Sequence, residues 1–574
     1  MADVATLARP QRWDSPFDPD MSDGELAMLL ARPEFSSIDA SRFPSSMSLE
    51  GILRNDCRVI KYFAGEIVIR EGDYGNSAFL NLNGSLKAVF SPGLPQEVLG
   101  RSEPKKPGIW NTLSQVWKNS GGFSETRDTA RYTKRLDISP VENTENRFSL
   151  LESKAARGIF EDGVHVAKGL QEVPPLNAQY QAAVLRAGAI FGEIAALGRV
   201  PRTATVFAQT DATVLEIRWQ GLSAIRKYDE SWRKFIDERY RKNQLETQLQ
   251  EHEFLSSLDK ATLRKIADRT RFETYGSFEW YRTYKQRQGG AADEPLIARE
   301  GDYNDGLLLI GDGFARCSIR VGNGSRTLTY LQHGDHFGLD ELYESWNSNS
   351  RQPLQTSLSA LGYVNVLRVP ADVVNEYIFP NYEPSKPRLR DEAARPLATD
   401  SLLEWAVNER FINGTHAMLI NIDRCVRCDD CVRACSSTHG GNPRFIRHGK
   451  TRGNFMVTNA CMHCVDPVCM IGCPTGAIHR NVEKGVVVIN DDTCIGCGTC
   501  ADSCPYDNIR LVEIRDLHGR PVLDPKTETP ILKATKCDLC HTQLGGPACV
   551  RACPHDALQR VDFREGTVFG GSLA

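Results

Sequence analysis

Short runs of alternating apolar and polar residues fill much of the first two thirds of the chain. The stretch "FAGEIVIREGDYGNSAFLNLNGSLKAVF" (63–90) is echoed by "LIAREGDYNDGLLLIGDGFARCSIRV" (296–321). Both stretches break at Gly-Asp pairs and at a later glycine, Gly84 or Gly313. Alternation interrupted by turn residues is typical of antiparallel strands. The pattern therefore predicts two copies of one all-β module.

Each copy continues with an "FG" turn, a short helix, a further strand ("ATVLEIRW" or "VNVLRVP") and an amphipathic helix. The first copy is interrupted by an insertion, about 91–178, that is rich in Ser, Pro, Lys and Glu. Within it, Trp110, Leu113 and Trp117 have helical spacing, which predicts local packing of a short helix.

The order of these segments predicts several domains, because 574 residues exceed what one core serves. The stretch 379–396 combines prolines and charges, which is typical of a linker. A helix in "SLLEWAVNERFING" follows, with Asp400 or Ser401 as its cap and Gly414 at its end. We expect an N-terminal extension (1–45), a first β-module (46–250), a second β-module (251–379), a linker (380–400) and a C-terminal domain (401–574).

Composition narrows the class of protein without identifying it. Hydrophobic residues make up 41% and charged residues 25%, with a formal net charge of -4. No basic stripe favours a nucleic-acid partner. No apolar run reaches the length of about 18 residues that a membrane span needs, and the first residues lack a signal-peptide pattern. We expect a cytoplasmic protein, for which docking on a membrane partner stays open.

A candidate phosphate site is present in "FGEIAALGRVPRTATV" (191–206). A bound phosphate diester needs backbone N–H donors at a helix start, a glycine that permits close approach and a guanidinium. Gly192, the following "EIAAL" and Arg202 supply these three features. Glu193 adds a carboxylate that can accept hydrogen bonds from ribose hydroxyls. The combination predicts a site for a sugar phosphate.

Both repeats resemble cyclic nucleotide-binding domains, and 191–206 is similar to the phosphate-binding cassette of that family. The resemblance implies a β-roll, jelly-roll-like fold with flanking helices. It also implies that Glu193 contacts the ribose 2'-hydroxyl and that Arg202 pairs with the cyclic phosphate of cAMP or cGMP. The implied site comprises Gly192, Glu193, Ile194, Ala195, Arg202, Thr203 and Ala204.

In the same family a following helix covers the base. Residues 228–250 match that helix in position, with Phe235 or Tyr240 as the lid. The second copy departs from the pattern, because Leu339 and Leu354 stand where the acid and the arginine belong. Arg351 would reach a phosphate only after a loop shift, so we expect the second copy to be a structural partner that binds no nucleotide.

Sixteen of the eighteen cysteines lie in the C-terminal domain. The other two, Cys57 and Cys317, fall in strand-like stretches and are expected to be buried and inert. The sixteen form the groups "CVRCDDCVRAC" (425–435), "CMHCVDPVCMIGCP" (461–474), "CIGCGTCADSCP" (494–505) and "CDLCHTQLGGPACVRACP" (537–554). Such grouping suits metal chemistry in a reducing compartment better than disulfides.

In each group, three closely spaced thiolates suit three corners of a cubane, and the fourth ligates a neighbouring cluster. The sequence thus predicts four 4Fe-4S clusters in two pairs. Structural zinc needs two separated cysteine pairs per ion, and only the fourth group approaches that spacing. "CDLCH" matches a c-type haem signature, but its two cysteines are needed for the cluster set.

The C-terminal residues also resemble the four-cluster electron-transfer (beta) subunits of the dimethyl sulfoxide reductase family, through "CMHCVDPVCMIGCPTGAI", "CIGCGTCADSCPY" and "KCDLC". The resemblance implies a double bacterial-ferredoxin-like α+β domain. It implies four ligand sets: Cys425, Cys428, Cys431 and Cys553; Cys537, Cys540, Cys549 and Cys435; Cys461, Cys464, Cys469 and Cys504; Cys494, Cys497, Cys500 and Cys473. Ser436 replaces the proline that follows the other groups, so we expect a local backbone difference there.

No dinucleotide fingerprint, Walker loop or kinase signature is present, so the chemistry is expected in a partner. The sequence predicts a non-catalytic electron-transfer subunit of an oxidoreductase, regulated or docked by cAMP or cGMP. The catalytic subunit would be of the molybdopterin, tungstopterin, hydrogenase or flavin type. A cyclic-nucleotide-linked redox sensor is the alternative. Nucleotide binding is expected to close the helix after residue 220, and the second copy to transmit that movement to the clusters.

Overall fold

The fold is seen in a computed structural model. It describes residues 7, 12–14, 16–91, 124–129, 181–198, 201–236, 238, 245, 249, 252, 254–255, 258–277, 279–286, 294–322, 324–382, 400–481, 484–543, 545–565, 567–568 and 571–572. These residues form two β-rolls with flanking helices and a C-terminal ferredoxin-like domain, which confirms the predicted fold class. The stripe at Trp110, Leu113 and Trp117, and Tyr240, lie outside the described residues.

The first β-roll consists of two four-stranded antiparallel sheets, ordered β1-β8-β3-β6 and β2-β7-β4-β5. Phe79, Phe191 and Val206 are buried together between them. The strands are β1 (Cys57–Tyr62), β2 (Ile67–Ile69), β3 (Ser77–Asn83), β4 (Leu86–Ser91), β5 (Gln181–Leu185), β6 (Ile190–Phe191), β7 (Thr205–Ala208) and β8 (Ala212–Arg218).

Helices from the N-terminal segment complete the core of this roll. The N-terminal segment supplies α1 (Asp23–Leu30), α2 (Pro33–Ser36) and α3 (Leu49–Asp56). The roll itself supplies α4 (Glu193–Gly198) and α5 (Trp219–Tyr228). A capping box of Ser22 and Glu25 starts α1. Phe35 stacks on Trp232, with ring centroids 5.5 Å apart, within one cluster that also holds Leu215. Much of the expected extension is therefore part of the first domain's core.

The second β-roll is one six-stranded antiparallel sheet. Its strands are β9 (Arg271–Gly276), β10 (Leu296–Ala298), β11 (Gly306–Val321), β12 (Gly324–Leu331), β13 (His336–Phe337) and β14 (Ser357–Pro370), and its helices are α6 (Lys260–Arg269), α7 (Trp280–Gln286), α8 (Leu339–Ser348) and α9 (Ala371–Val373). Gly84 separates two strands as predicted, but Gly313 only shifts the register within β11. Gly313 has φ +85°, and a Cβ there would lie 1.9 Å from the Tyr363 carbonyl oxygen.

The C-terminal domain combines a four-stranded sheet, ordered β16-β17-β15-β22, with three two-stranded sheets, β18-β19, β20-β21 and β23-β24. Its elements are α10 (Asp400–Asn408), β15 (Ala417–Asn421), α11 (Asp430–Thr438), β16 (Ile446–Arg452), β17 (Phe455–Asn459), β18 (Ile478–Arg480), β19 (Val487–Ile489), α12 (Thr499–Ser503), β20 (Arg510–Glu513), β21 (Leu532–Thr535), α13 (Ala548–Arg551), β22 (Leu558–Val561), β23 (Thr567–Val568) and β24 (Gly571–Ser572). The expected helix before the cysteines is present as α10, but Asp400 and Ser401 lie within it and it ends at Asn408, before Gly414. Gly414 follows the short 3-10 turn Phe411–Asn413.

The C-terminal domain packs against both rolls. Phe314 of the second roll shares a buried cluster with Trp405 of α10, and Arg410 forms an ion pair with Glu294 at 3.0 Å. A short segment of the insertion, residues 124–129, bridges to Arg515 through Thr126. Across the described part of the sequence, no helix combines the length and the apolar composition needed to cross a membrane.

Candidate functional site

Arg202 lies in a turn that two separate loops of the first roll build together. Strand β6 ends at Phe191, and the next residue, Gly192, has a φ of +75° that turns the chain into α4. The main chain of Arg202 pairs with the loop before β3: Gly72 N–H donates to the Arg202 carbonyl at 2.8 Å, and Arg202 N–H donates to the Asp73 carbonyl at 2.8 Å. Arg202 thus precedes β7, whereas the sequence placed it on the returning strand.

The Arg202 guanidinium is buried against the backbone of this turn. It donates to the carbonyls of Gly192 at 2.6 Å and Ser77 at 2.8 Å. A Cβ on Gly75 would lie 2.1 Å from its Nη2, so only glycine leaves room for the arginine there. Burial lowers the pKa of Arg202 to about 10, even though Glu216, Glu193 and Asp73 favour its charged form.

The other predicted nucleotide contacts surround the same turn. Glu193 is 1% exposed at the start of α4, and Ala195 and Ala204 are buried. Thr203 is half-buried, and Ile194 belongs to α4. The proposed lid residue Phe235 instead packs against the core of the N-terminal helices beside Trp232.

The second roll repeats this turn with different side chains. Gly301 N–H donates to the Leu354 carbonyl at 2.8 Å, and Leu354 N–H donates to the Asp302 carbonyl at 2.9 Å. These bonds place Leu354 where the first roll has Arg202. Leu339 starts α8 directly after Gly338, whose φ is +84°. Both leucines are buried, so the second turn lacks the acid and the guanidinium of the first.

Asn304 fills the second turn in place of the arginine. It follows "GDY" where the first repeat has Gly75. Its Nδ2 donates to the Gly338 carbonyl at 3.1 Å, as Arg202 does to the Gly192 carbonyl. Arg351 is exposed. Asn304 was not predicted as a functional residue, although the change from "GDYG" to "GDYN" in the sequence signals it.

The four cysteine groups share one backbone feature. In each group the residue before the second cysteine has a left-handed conformation, with φ between 51° and 66°. These residues are Arg427, His463, Gly496 and Leu539. Three of the four carry a side chain, for which this conformation costs of order 1 kcal/mol or more. A strained conformation repeated at four equivalent positions indicates a shared functional constraint.

Cysteines from different groups of the sequence lie close to one another. Each of four thiols is close enough to three others that their charge adds to burial in raising its pKa. The sets are Cys435 with Cys537, Cys540 and Cys549; Cys464 with Cys461, Cys469 and Cys504; Cys500 with Cys473, Cys494 and Cys497; and Cys431 with Cys425, Cys549 and Cys553. Cys549 belongs to two of these groupings, and the assignment of ligands to each cluster stays a prediction.

The donor set fits an iron–sulfur cluster. Cys473, Cys494, Cys497 and Cys500 line one pocket whose other lining residues are largely apolar. None of the eighteen cysteines, all of which the structure describes, forms a disulfide, and Cys57 and Cys317 are buried in strands as expected. Cluster sulfurs are typically stabilised by N–H donors. Here backbone N–H groups donate to Cys435 (3.2 Å), Cys494, Cys504 and Cys553 (3.4 Å each).

Buried cations surround these thiols, and sequence analysis missed them. Lys533 is fully buried and donates to the carbonyls of Asp491 at 2.8 Å and Cys494 at 2.5 Å. Arg560 donates to the Cys537 sulfur at 3.0 Å. Burial alone lowers the pKa of Arg560, but the thiolates of Cys537 and Cys549 outweigh it and raise that pKa. These cations offset the negative charge that ligating thiolates bring into the interior.

The backbone after the first cysteine group differs from the other three. Helix α11 continues through Ser436 to Thr438, so the position without proline stays helical. Prolines follow Cys473, Cys504 and Cys553, and none of those three prolines lies in a helix. The expected local difference is thus the extension of α11.

Two families match this sequence. The 4Fe-4S dicluster domain matches residues 453–563, and the cyclic nucleotide-binding domain matches residues 172–229. "Electron transport protein HydN" of Escherichia coli is 33% identical over 157 residues, covering 25% of this chain and 87% of HydN. The protein belongs to the 4Fe-4S dicluster family. This dicluster-family protein also carries a cyclic nucleotide-binding domain. The predicted resemblances to cyclic nucleotide-binding domains and to electron-transfer subunits are both confirmed.

Other known proteins are similar to the same C-terminal quarter of this dicluster-family protein. "Protein NrfC" of Escherichia coli is 34% identical over 162 residues, covering 26% of this chain and 66% of NrfC. A polypeptide of the anaerobic dimethyl sulfoxide reductase of Haemophilus influenzae is 31% identical, covering 25% of this chain and 69% of that polypeptide. Among solved structures, the regulatory domain of Toxoplasma gondii PKA with cAMP is 16% identical, covering 62% of this chain and 94% of that one, with a TM-score of 0.19.

Proposed function

We propose that this protein is a cytoplasmic electron-transfer subunit of a multi-subunit oxidoreductase, holding four 4Fe-4S clusters and regulated by cAMP or cGMP. The observation that carries the proposal is the left-handed turn repeated in all four cysteine groups. Four equivalent loops, each with several thiols, suit four clusters better than two. The matched dicluster segment begins after Cys435, so for the first group the support is this shared turn.

Cys425, Cys428, Cys431 and Cys553 would hold one cluster, and Cys435 with Cys537, Cys540 and Cys549 a second. Cys461, Cys464, Cys469 and Cys504 would hold a third, and Cys473 with Cys494, Cys497 and Cys500 a fourth. When bound, such clusters carry single electrons. The protein's own contribution is to supply thiolates, to direct N–H groups at their sulfurs and to place Lys533 and Arg560 beside them.

The nucleotide site in this proposal is the Arg202 turn of the first roll. Arg202 would bind the cyclic phosphate, because its buried guanidinium donates only to neutral carbonyl oxygens among the bonds described above. Glu193 would accept from the ribose, and Gly192, Ile194 and Ala195 would offer backbone N–H groups. Thr203 and Ala204 would flank the phosphate. The second roll would bind no nucleotide, because Asn304 and Leu354 occupy its turn.

A catalytic partner follows from the same proposal. The relatives' names describe an electron transport protein and one polypeptide of a reductase. We expect a partner subunit of the molybdopterin, tungstopterin, hydrogenase or flavin type. A redox sensor is the alternative, and turnover separates the two: a relay reduces many equivalents of an added acceptor, whereas a sensor reacts once.

Anaerobic iron analysis tests the cluster number. The full-length protein is expected to contain about sixteen irons, since each cubane holds four. Cys428→Ala is expected to reduce this number by about four, and the control Cys317→Ala to leave it unchanged, because Cys317 is buried in β11 of the second roll. A wild-type content of about eight irons, or stoichiometric zinc, would contradict the four-cluster proposal.

A further inference from the structure

Tyr74 connects the Arg202 turn to the rest of the molecule. It lies between Asp73, which accepts from the Arg202 main chain, and Gly75, which packs against the Arg202 guanidinium. Tyr74 also forms a β-bridge with Pro201. Any shift of Arg202 on binding a phosphate is therefore passed to Tyr74 through the main chain on both sides.

The ring of Tyr74 contacts the C-terminal domain. The guanidinium carbon of Arg480 lies 4.8 Å from the ring centroid, which is the geometry of a cation–π contact. On the same hairpin, a Cβ on Gly485 would lie 2.5 Å from Cε2 of Tyr74. The tyrosine thus sits directly on the β18–β19 hairpin.

Arg480 in turn holds the backbone of a proposed cluster ligand. It is 4% exposed, and its Nη2 donates to the carbonyls of Cys464 at 2.5 Å and Val465 at 2.8 Å. Its Nη1 donates to the Gly485 carbonyl at 2.8 Å. Arg480 is therefore a positioning residue: one face meets Tyr74, and its donors fix the loop that carries Cys464.

A second contact between the first roll and the same region starts from the same turn. Trp219 N–H donates to the Asn76 carbonyl at 2.8 Å, and its indole Nε1 donates to the Ile471 carbonyl at 3.4 Å. Ile471 lies between Cys469 and Cys473 in the sequence. Two contacts thus join residues 73–76 to the segment that supplies three of the proposed ligands.

We propose that the contact between Tyr74 and Arg480 couples nucleotide binding in the first roll to the reduction potential of the cluster proposed at Cys461, Cys464, Cys469 and Cys504. The proposal rests on the proposed function. A bound phosphate adds negative charge at Arg202 and fixes the turn, so Tyr74 shifts against Arg480. A displaced guanidinium changes both the positive charge near the cluster and the hydrogen bond to Cys464.

The route differs from the one expected from sequence, in which the second roll transmits the movement. In the second roll, Tyr303 is the counterpart of Tyr74, and it is 61% exposed. It bridges to Pro353 as Tyr74 bridges to Pro201. The second repeat therefore has the same turn, but its tyrosine is exposed and is not covered by the C-terminal domain as Tyr74 is. This makes Tyr303 a matched control.

The test measures the dissociation constants of cAMP and cGMP for the oxidised and the dithionite-reduced full-length protein under anaerobic conditions. Linkage requires that any effect of nucleotide on the potential equals the effect of reduction on affinity. For the nucleotide that binds, we expect the dissociation constants of the oxidised and the reduced wild type to differ about fivefold or more. A tenfold ratio of these constants corresponds to a shift of about 59 mV in the midpoint potential of a one-electron cluster. EPR-monitored redox titration with and without nucleotide provides the second readout.

Three variants locate the route. Tyr74→Ala is expected to bring the ratio to about one, with four clusters retained. Tyr74→Phe keeps the aromatic face and is expected to retain the ratio, as is Tyr303→Ala. A ratio that persists in Tyr74→Ala overturns the route, and equal constants in the wild type overturn the coupling while the proposed function stands. A wild type that binds neither nucleotide, or holds no clusters, overturns the proposed function and this proposal together.

Discussion

At the scale of single residues, the difference between the two rolls reduces to which side chain fills one turn. Arg202 and Asn304 both bond to the carbonyl of the glycine that starts the next helix. The arginine brings a charge, and it needs glycine at position 75 to fit. Asn304 occupies the position in the second repeat that corresponds to Gly75, and its uncharged side chain fills the turn.

Introducing the second roll's residue into the first tests this explanation. Gly75→Asn is expected to weaken cAMP or cGMP binding at least about tenfold, because the new side chain displaces a guanidinium whose charge-assisted bonds contribute about 1.5–3 kcal/mol. Isothermal titration of the anaerobic full-length protein measures the effect. Gly324→Asn is the control, since a Cβ there would make only an ordinary contact, 3.8 Å from the Val321 carbonyl oxygen. Unchanged affinity in Gly75→Asn would contradict the assignment of Arg202.

The buried Lys533 gives a second prediction at this scale. Lys533→Met removes a cation that binds the carbonyls of Asp491 and Cys494. We expect the free energy of unfolding to fall by about 1–3 kcal/mol, because two buried carbonyls lose their donor. The potential of the nearest cluster should also become more negative, because a positive charge is lost beside it.

EPR-monitored titration measures that potential, and chemical denaturation measures the stability. Lys526→Met is the control, because Lys526 is exposed in the same domain. A potential equal to that of the wild type would show that Lys533 serves packing alone.

At the scale of elements, the second roll acts as a platform for α10 and the turn that follows it. Glu294 holds three partners there: Arg316, Arg410 and Ser359. Arg410 is 9% exposed, and burial lowers its pKa although Glu294 opposes that effect. A buried carboxylate between two arginines fixes the roll against the C-terminal domain.

Removing this carboxylate should weaken the attachment. Glu294→Ala leaves two buried arginines without their acid, so the free energy of unfolding is expected to fall by about 3–5 kcal/mol. Thermal unfolding followed by circular dichroism measures the change. Asp372→Ala, which breaks an exposed pair with Arg269, should leave the midpoint unchanged. A similar drop in both variants would contradict the platform.

Local pattern was sufficient for some elements and insufficient for others. Alternation and turn glycines predicted both rolls. The spacing of the cysteines defined four groups, and the structure adds the backbone turn that these groups share. By contrast, the contact of Tyr74 with Arg480 joins residues far apart in the sequence. Local periodicity cannot predict such a pair, because it reflects only the secondary structure around each residue. Gly313 was misjudged for a related reason: a left-handed glycine ends one strand and merely kinks another.

At the scale of the whole molecule, the insertion of the first roll also holds the C-terminal domain. Glu125 is 3% exposed and accepts from Arg127 and Asn442, each at 2.7 Å. Its N–H donates to the Gly440 carbonyl at 2.8 Å, and Arg127 pairs with Asp491 at 3.0 Å. A six-residue piece of one domain thus serves as part of another.

Glu125→Ala tests the contribution of this piece. We expect the free energy of unfolding of the cluster domain to fall by about 3 kcal/mol, since Arg127 loses a buried partner. Loss of cluster absorbance during urea denaturation reports the change. Glu230→Ala, in an exposed pair with Lys234, is the control and should have no effect. An unchanged Glu125→Ala midpoint would show that the segment rests on the domain without stabilising it.

Leu7 extends this interdependence to folding. It is buried with Ile514, Val522 and Ile531, and its N–H donates to the Leu523 carbonyl at 2.9 Å. During synthesis these partners are translated only after most of the polypeptide. Leu7 therefore cannot be buried until the C-terminal domain has been made. Assembly of the cysteine-rich end is then the event that closes the molecule, and iron starvation during synthesis should leave both ends of the polypeptide open to proteolysis.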